Sequence, residues 1–277
     1  MLSNQKLLYV DLLKRTLIDL NSANSFEYLP INEIQRTKTS FFLEPLNRLL
    51  KFANFVICKQ RLVNENNRIN GADWPANAFT MIGLKRLNNI EFCINSILDD
   101  NIEGDLIETG VWRGGATIFM QAMLKLNGVE NKKVWVADSF RGLPKPDIKN
   151  FSQDKGLNLY KIKLLNVSLE KVKQNFEKYN LLDENVIFLK GWFKDTLPNA
   201  PIEKLSLLRL DGDLYESTIQ SLQYLYPKLS VGGYVIIDDY NSIVNCKQAV
   251  IDYRSNNQIN EKIIEIDAEG VYWRKEK

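Results

Sequence analysis

From residue 105 onward, short apolar runs alternate with amphipathic segments, and this alternation limits the fold more than any other feature of the chain. The apolar runs predict strands at Leu106–Thr109, Val134–Ala137, Val186–Leu189, Leu205–Leu210 and Tyr234–Ile237. Helical spacing lies between or after them at Ala116–Leu126, Leu169–Tyr179, Ser217–Leu229 and Lys247–Tyr253. Such alternation indicates an α/β fold with a mostly parallel sheet and helices on both faces. Two last runs, Ile263–Ile266 and Val271–Trp273, flank a turn and predict a hairpin that completes seven strands.

Residues 1–100 show helical spacing and no strand pattern, so we predict a helical N-terminal region (1–100) before the α/β core (101–277). A helix is predicted over Met81–Leu98, where apolar residues recur at helical spacing. Before it, Arg68–Thr80 is polar, contains glycine and proline, and carries Trp74. This stretch is either an ordinary connector or a mobile lid, since long irregular loops in compact enzymes often cover a site.

The chain contains no histidine, and this absence removes several kinds of catalytic site at once. It excludes Ser–His and Cys–His nucleophile pairs, a histidine general base, and zinc or iron sites that use histidine. Polar chemistry must therefore use carboxylates, lysine, tyrosine, or a hard metal ion bound by oxygen.

Charge, hydropathy and cysteine usage narrow the setting further. A formal net charge of +2 argues against nucleic-acid binding as the main task. No stretch approaches the roughly 18 apolar residues that a membrane span needs, and the N-terminal residues do not resemble a secretory signal. Cys58, Cys93 and Cys246 are odd in number and scattered, which is typical of a reduced, cytoplasmic protein.

The turn after the first core strand is rich in glycine and leads into a helix. Glu108, Thr109, Gly110, Arg113 and Gly114 fall in it, where open α/β sheets bind ligands at the carboxyl ends of their strands. The glycine spacing differs from the G-x-G-x-x-G of dinucleotide sites, which weakens a nicotinamide reading. An acidic residue just before the first glycine suits a ligand with an amino group, such as S-adenosylmethionine. The alternative is a glycine-containing turn that binds nothing.

The next two strand ends carry further candidates for a nucleoside site. Asp138 and Ser139 end the second strand, and a carboxylate there can accept hydrogen bonds from both ribose hydroxyls. Gly191, Trp192 and Phe193 follow the third strand, where the two aromatic rings could frame an adenine. Core packing by those rings is the equal alternative.

Four aspartates cluster at the ends of the fourth and fifth strands. Asp211 and Asp213 follow one strand, Asp238 and Asp239 follow its expected neighbour, and each strand is apolar up to its acidic end. Converging carboxylates repel each other, and a divalent cation would relieve that repulsion. Oxygen ligands favour magnesium, calcium or manganese. The alternative is two solvated acidic turns that lie close by chance.

At these residues the chain resembles the macrocin O-methyltransferase family, whose members are metal-dependent enzymes that methylate sugar hydroxyls. The similarity covers nearly the whole length, in stretches 11–17, 73–83, 104–116, 136–144, 189–198, 208–218, 225–240 and 271–274. The resemblance implies a class I methyltransferase (Rossmann-like) core and a helical N-terminal part that helps to cover the site. It implies S-adenosylmethionine with Glu108 and Gly110 beside its methionine end, Asp138 beside its ribose, and Met81 against it from the lid side. It also implies a magnesium ion ligated by Asp211, Asp238 and Asp239.

The predicted reaction is therefore methyl transfer to a hydroxyl, with Asp211 favoured over Asp213 as the base. The predicted acceptor is a sugar of a glycosylated natural product or surface glycan. A phenolic or cyclitol hydroxyl is the alternative acceptor. A nicotinamide dehydrogenase and a non-catalytic glycan-binding relative are the competing classes. The N-terminal helices are expected to supply a homo-oligomer contact, and no nucleic-acid or membrane partner is expected.

Overall fold

The computed structural model describes residues 4–21, 26–31 and 38–277, so residues 1–3, 22–25 and 32–37 of the predicted N-terminal region lie outside the described residues. The helices are α1 (Asn4–Leu17), α2 (Lys38–Lys51), α3 (Glu65–Asn70), α4 (Leu84–Asp99), α5 (Gly115–Leu126), α6 (Leu169–Lys178), α7 (Phe193–Thr196), α8 (Tyr215–Leu225) and α9 (Val244–Asn256). The strands are β1 (Phe26–Pro30), β2 (Cys58–Leu62), β3 (Asp105–Thr109), β4 (Val134–Asp138), β5 (Val186–Lys190), β6 (Leu205–Leu210), β7 (Leu229–Ile237), β8 (Ile264–Glu265) and β9 (Val271–Arg274).

Seven strands form one sheet in the order β5-β4-β3-β6-β7-β9-β8. Strands β3 to β7 run parallel, whereas β9 pairs antiparallel with both β7 and β8. The strand order reverses at β3, because the chain first builds outward through β4 and β5 and then returns to β6 on the other side. The predicted mostly parallel, seven-stranded sheet with a closing hairpin is therefore confirmed.

Helices cover both faces of this sheet, as the alternation predicts. Along β3, Leu106 packs in a cluster with α1, α4, α5 and α6, whereas Ile107 packs in a second cluster with α8 and α9. Neighbouring side chains of a strand point to opposite faces, so each central strand contributes to both clusters. This double burial explains why the core strands read as continuous apolar runs.

Helix α8 begins at Tyr215, two residues before the predicted start, because a distant carboxylate caps it. The Asp154 side chain accepts the backbone N–H groups of Tyr215 and Glu216 at 2.8 and 3.0 Å. Asp213, which lies two residues before the helix, makes no such bond. Asp154 lies 61 residues away in sequence, and no local pattern announces the cap.

The N-terminal region is not only helical. Strands β1 and β2 pair antiparallel, with Phe26 opposite Leu62 and Pro30 opposite Cys58. The expectation of no strand there is wrong, because neither strand alternates buried apolar with exposed polar residues. Strand β1 exposes Phe26 and Tyr28 and buries Glu27 between them, and β2 is mostly polar and exposed. Helix α4 begins at Leu84 rather than Met81, since Gly83 is extended and lies directly against residues 69–71. Within the described residues, no helix combines the length and apolar character that crossing a membrane requires.

Candidate active site at the carboxyl edge of the sheet

A cavity of about 630 Å³ opens at the carboxyl ends of the parallel strands, within the size range of small-molecule sites. Strands β3 to β7 point the same way, so the residues that follow them meet at one edge of the sheet. The sequence candidates that line the cavity are Met81, Glu108, Gly110, Asp138, Ser139, Gly191, Trp192, Phe193, Asp211, Asp213, Asp238 and Asp239.

Three candidates from the glycine-rich turn do not line the cavity. Thr109 is fully buried beneath it, Arg113 points toward residues 76–78, and Gly114 faces helix α6. The same turn does approach the acidic strand end closely. Gly110 has a φ of +88°, and a Cβ there would lie 1.8 Å from the carbonyl oxygen of Asp211. Glycine is therefore required at this position for β3 and β6 to end side by side.

A buried arginine joins the acidic residues, and the sequence analysis did not identify it. The Arg209 side chain lies in β6 with only 1% of its surface exposed, and it forms ion pairs with Glu108, Asp211 and Asp238. Its Nη1 lies 2.8 Å from Asp211 Oδ2. A charged residue within an otherwise apolar, fully buried strand was the available signal, since such a charge needs partners.

A second arginine reaches the same cluster from α4. Arg86 Nη1 lies 2.6 Å from Asp238 Oδ2, while Nε and Nη2 bind Asp267 at 2.8 Å and Glu269 at 2.6 Å. The two arginines together hold both carboxylate oxygens of Asp238. The sequence pattern suggested that a cation relieves the repulsion among the four carboxylates. The structure shows that Arg86 and Arg209 already relieve part of it.

Three aspartates nevertheless retain the geometry of a metal site. Asp211, Asp238 and Asp239 each offer one carboxylate oxygen, and these oxygens lie within 4.8 Å of one another. Oδ2 of Asp239 is buried and has no hydrogen-bond partner within the described residues. Burial and the neighbouring carboxylates, Asp213 first, raise the pKa of Asp239 well above its usual value. An all-oxygen set with an unsatisfied acceptor fits a hard divalent cation.

Asp213 is the other carboxylate without a partner. It lines the cavity in a left-handed conformation, with a φ of +60°, and forms no hydrogen bond or ion pair with the described part of the chain. Burial and the nearby Asp211 and Asp238 raise the pKa of Asp213 to about 7. Burial and Asp238 also raise the pKa of Asp211, to about 6, but Asp211 differs from Asp213 because Arg209 binds its carboxylate and opposes the rise.

Glu108 and Asp138 form the opposite half of the site. Glu108 is 2% exposed, pairs with Arg209 through Oε1, and leaves Oε2 buried without a partner in the described structure. Asp138 is already engaged by the backbone, since its Oδ2 and Oδ1 accept the N–H groups of Val111 and Phe140 at 2.9 and 2.6 Å. Its carboxylate thereby fixes the glycine-rich turn and retains capacity for further donors.

Aromatic residues flank this half of the cavity. Trp192 and Phe193 both line it, and Phe193 also packs against the second core cluster, so the core-packing alternative applies to it as well. Trp112 and Trp74 also line the cavity, and Trp112 was not among the sequence candidates. It has a φ of +47°, which is uncommon for a bulky residue, and its indole N–H donates to the Leu164 carbonyl at 2.8 Å.

Comparison with known proteins identifies the family. Residues 6–275 match the sequence model of the macrocin O-methyltransferase (TylF) family. The chain is 45% identical over 271 residues to mycinamicin III 3''-O-methyltransferase of Micromonospora griseorubida, covering 97% of this chain and 96% of that protein. It is 53% identical over 208 residues to 8-demethyl-8-(2,3-dimethoxy-alpha-L-rhamnosyl)-tetracenomycin-C 4'-O-methyltransferase of Streptomyces olivaceus, covering 75% of this chain and 79% of that protein.

Among solved structures, the O-methyltransferase NovP aligns with a TM-score of 0.82 and 44% identity, covering 98% of this chain and all of that one. The predicted class I methyltransferase fold is thus confirmed. The chain belongs to the TylF macrocin O-methyltransferase family and is an S-adenosylmethionine-dependent O-methyltransferase.

Proposed function

We propose that the protein methylates a sugar hydroxyl of a glycosylated natural product or surface glycan, in a magnesium-dependent reaction. One observation carries this proposal: Asp211, Asp238 and Asp239 converge on the wall of the cavity that also exposes Glu108. The names of the relatives support the acceptor class, since one of them prints a rhamnosyl group and a 4'-O position.

We place the cofactor in the half of the cavity lined by Glu108, Asp138 and Trp192. The unpartnered Oε2 of Glu108 would accept a hydrogen bond from the amino group of the methionine part of S-adenosylmethionine. Asp138 would accept hydrogen bonds from the ribose hydroxyls with its remaining lone pairs. Met81 would contact the cofactor from the side of the N-terminal region. A charged sulfonium also suits a cavity wall that carries more carboxylates than arginines.

Asp211, Asp238 and Asp239 would hold the magnesium ion. When bound to these residues, such an ion would help to orient the acceptor hydroxyl and would lower the pKa of its proton. Arg209 and Arg86 each form an ion pair with Asp238, so this carboxylate is already held in place by the protein. Asp239 has the free oxygen, so it is the ligand that gains most from a cation.

We assign proton removal to Asp213. The sequence pattern favoured Asp211, and burial with the neighbouring Asp238 does raise its pKa to about 6, but the ion pair with Arg209 opposes that rise and occupies the carboxylate. Asp213 has no partner in the described structure, and its pKa of about 7 suits a general base at neutral pH. In the transfer step, the sulfur–methyl bond breaks as the acceptor oxygen bonds to the methyl carbon, and the hydroxyl proton passes to Asp213. S-adenosylhomocysteine leaves as the second product.

Binding measurements test the cofactor and metal assignments separately. Calorimetry should show S-adenosylhomocysteine binding at micromolar levels and no measurable binding of NAD. Methyl transfer should stop after EDTA treatment and return with added magnesium. Full activity after EDTA treatment, with no metal left by elemental analysis, would refute the metal assignment without affecting the cofactor assignment.

Acceptor trials distinguish the proposed sugar from its alternative. We expect transfer to hydroxyls of deoxysugar glycosides and not to catechols or inositols at matched concentration. Preferential methylation of a phenolic or cyclitol hydroxyl would replace the acceptor class and leave the reaction type intact.

We also propose that the protein acts in the cytoplasm as a homo-oligomer. Its cysteines are free, and large apolar side chains are exposed on α1 and α2, including Leu8, Leu12, Phe42 and Leu49. Light scattering should give a mass above that of one chain, and Leu8→Lys combined with Leu12→Lys should lower it. A wild-type mass of one chain would rule out the oligomer.

A further inference from the structure

We infer that Arg113 is a positioning residue that sets cofactor affinity by fixing a wall of the cavity, without contacting the cofactor itself. The wall is residues 71–82, called here the cover segment. Trp74, Thr80, Met81 and Ile82 of this segment line the cavity, whereas Arg113 does not. The inference rests on the cofactor placement proposed above.

The guanidinium of Arg113 binds the cover segment directly. Its Nη1 donates to the carbonyl oxygens of Ala76 at 2.7 Å and Ala78 at 2.9 Å. Both acceptors are main-chain groups, so the contact fixes the path of the segment rather than one side chain. The backbone carbonyl of Arg113 accepts Asn175 Nδ2 at 2.9 Å, which anchors the arginine to α6.

The same turn makes a second bond to the cover segment. The N–H of Gly115, the first residue of α5, donates to the Phe79 carbonyl at 2.9 Å. A Cβ on Gly115 would lie 2.6 Å from that carbonyl oxygen, so the segment lies directly on the start of the helix. The turn after β3 therefore holds three main-chain carbonyl groups of the cover segment, those of Ala76, Ala78 and Phe79.

Arg113 also supports a second part of the wall. Its guanidinium carbon lies 4.2 Å from the ring centre of Trp112, which lines the cavity. Trp112 has a positive φ that costs free energy, so packing from outside must stabilise it. One guanidinium thus stabilises both the cover segment and Trp112, on two sides of the proposed cofactor position.

Arginine is required because these contacts need a planar, charged donor. A guanidinium can stack on an indole and donate two hydrogen bonds at once, whereas an ammonium group offers a compact point charge. Lysine should therefore keep part of the contact to the carbonyls and lose the stacking. Methionine keeps the length of the side chain and loses every donor.

The test compares Arg113→Met and Arg113→Lys with Arg274→Met as a matched control. Arg274 also donates to a main-chain carbonyl, that of Gly232 at 2.9 Å, and lies 5.4 Å from the Tyr234 ring, but at the opposite end of the sheet. Calorimetry with S-adenosylhomocysteine and amide hydrogen exchange of residues 71–82 are the two measurements.

We expect Arg113→Met to raise the Kd for S-adenosylhomocysteine about tenfold or more, since two charge-assisted hydrogen bonds to the wall are lost. Exchange of residues 71–82 should become faster, KM for the methyl donor should rise more than kcat falls, and Arg113→Lys should recover part of the loss. Arg274→Met should leave all of these unchanged.

Two results would overturn the inference. An unchanged Kd in Arg113→Met would show that the wall does not depend on this side chain. A raised Kd with unchanged exchange of residues 71–82 would show that Arg113 contacts the cofactor directly. If Arg113→Met does not fold, the same two criteria apply to Arg113→Lys. Failure of the wild type to bind S-adenosylhomocysteine would instead refute the cofactor placement.

Discussion

Two buried arginines, Arg68 and Arg209, each bind several carboxylates, and the two sets of carboxylates differ in whether all their oxygens are hydrogen-bonded. Arg68 in the N-terminal region and Arg209 in β6 both expose 2% or less of their side-chain surface. Around Arg68, every oxygen of Glu27 and Asp73 accepts a hydrogen bond. Around Arg209, Oε2 of Glu108 has no partner within the described structure.

The difference is what the proposed function uses. Buried polar groups are mostly hydrogen-bonded, so an unpartnered carboxylate oxygen that lines a cavity is the kind of acceptor that a ligand could engage. The Arg68 cluster ties β1, α3 and the cover segment together, through Glu27, Asp73 and the carbonyl of Ile18. Near Arg209, Oε2 of Glu108 and Oδ2 of Asp239 have no partner among the described residues, and these are the acceptors that we propose for the cofactor amino group and the cation.

The largest expected effect lies at Asp213, whose carboxylate has no hydrogen bond or ion pair with the residues that the structure describes. Replacing Asp213 with Asn should lower kcat about 10²–10⁴-fold, because a general base contributes that much to proton transfer. Magnesium in excess should not restore the rate. Methyl-transfer assays of Asp213→Asn, Asp211→Asn and Asp239→Asn across a magnesium titration make the comparison, with Asp239→Asn expected to recover in part. If Asp211→Asn alone resists rescue, the base is Asp211.

Arg68, Glu27 and Asp73 form a cluster in which every carboxylate oxygen accepts a hydrogen bond, called here the saturated cluster. Removing Arg68 from it should chiefly affect stability. Arg68→Met leaves Asp73 and Glu27 buried with fewer partners, and breaking a buried pair in this way costs about 3–5 kcal/mol. Urea unfolding measures the change in free energy of unfolding. A loss well below this range, with S-adenosylhomocysteine binding abolished, would show that Arg68 acts on the site instead of the fold.

Asp239→Asn should have the opposite effect on stability. The raised pKa of Asp239 means that its charged form is disfavoured in the folded state relative to the unfolded state. Neutralising it should therefore stabilise the metal-free protein by about 1 kcal/mol, and the gain should increase as the pH rises. Urea unfolding at several pH values in EDTA tests this, and a destabilised variant would contradict it.

Added magnesium should stabilise the wild type by about 2.7 kcal/mol at a concentration one hundred times its Kd. This gain in stability should be absent in Asp239→Asn, which lacks the carboxylate with the unpartnered oxygen. Thermal unfolding with and without magnesium gives both values, and calcium serves as a second hard cation. An equal rise in both proteins would place the ion elsewhere.

The sequence predicted the saturated cluster less well than the functional one. Asp211, Asp238 and Asp239 end apolar strands, and parallel strands must bring their carboxyl ends to one edge, so their convergence followed from the pattern. Glu27 belongs to β1, which pairs with β2 across a long insertion that contains α2. No local rule announces such pairing, because the register depends on a backbone ladder between two short strands whose buried and exposed residues do not follow an apolar–polar alternation.

The two site arginines were missed for different reasons. Arg209 interrupts an apolar strand, and this signal was available, since a buried charge requires partners. Arg86 lies on α4, where arginine is ordinary, and its partner Asp238 is 152 residues away. The sequence also placed Thr109, Arg113 and Gly114 at the cofactor by position alone. Backbone geometry decides which turn residues face a cavity, and spacing does not encode it.

The smallest expected effect lies at the exposed edge of the saturated cluster. Arg61 donates to Glu27 Oε2 and to the carbonyl of Trp74, each at 2.5 Å, but its side chain is 34% exposed. Water can replace an exposed partner, so Arg61→Met should cost about 1 kcal/mol or less. Glu27 would keep Arg68 and the N–H of Ala76. Urea unfolding of Arg61→Met and of Arg68→Met compares the loss in free energy of unfolding for two arginines that both bind Glu27. Equal losses would mean that burial does not distinguish them, and the contrast between the saturated and the unsatisfied cluster would then rest on the free oxygens alone.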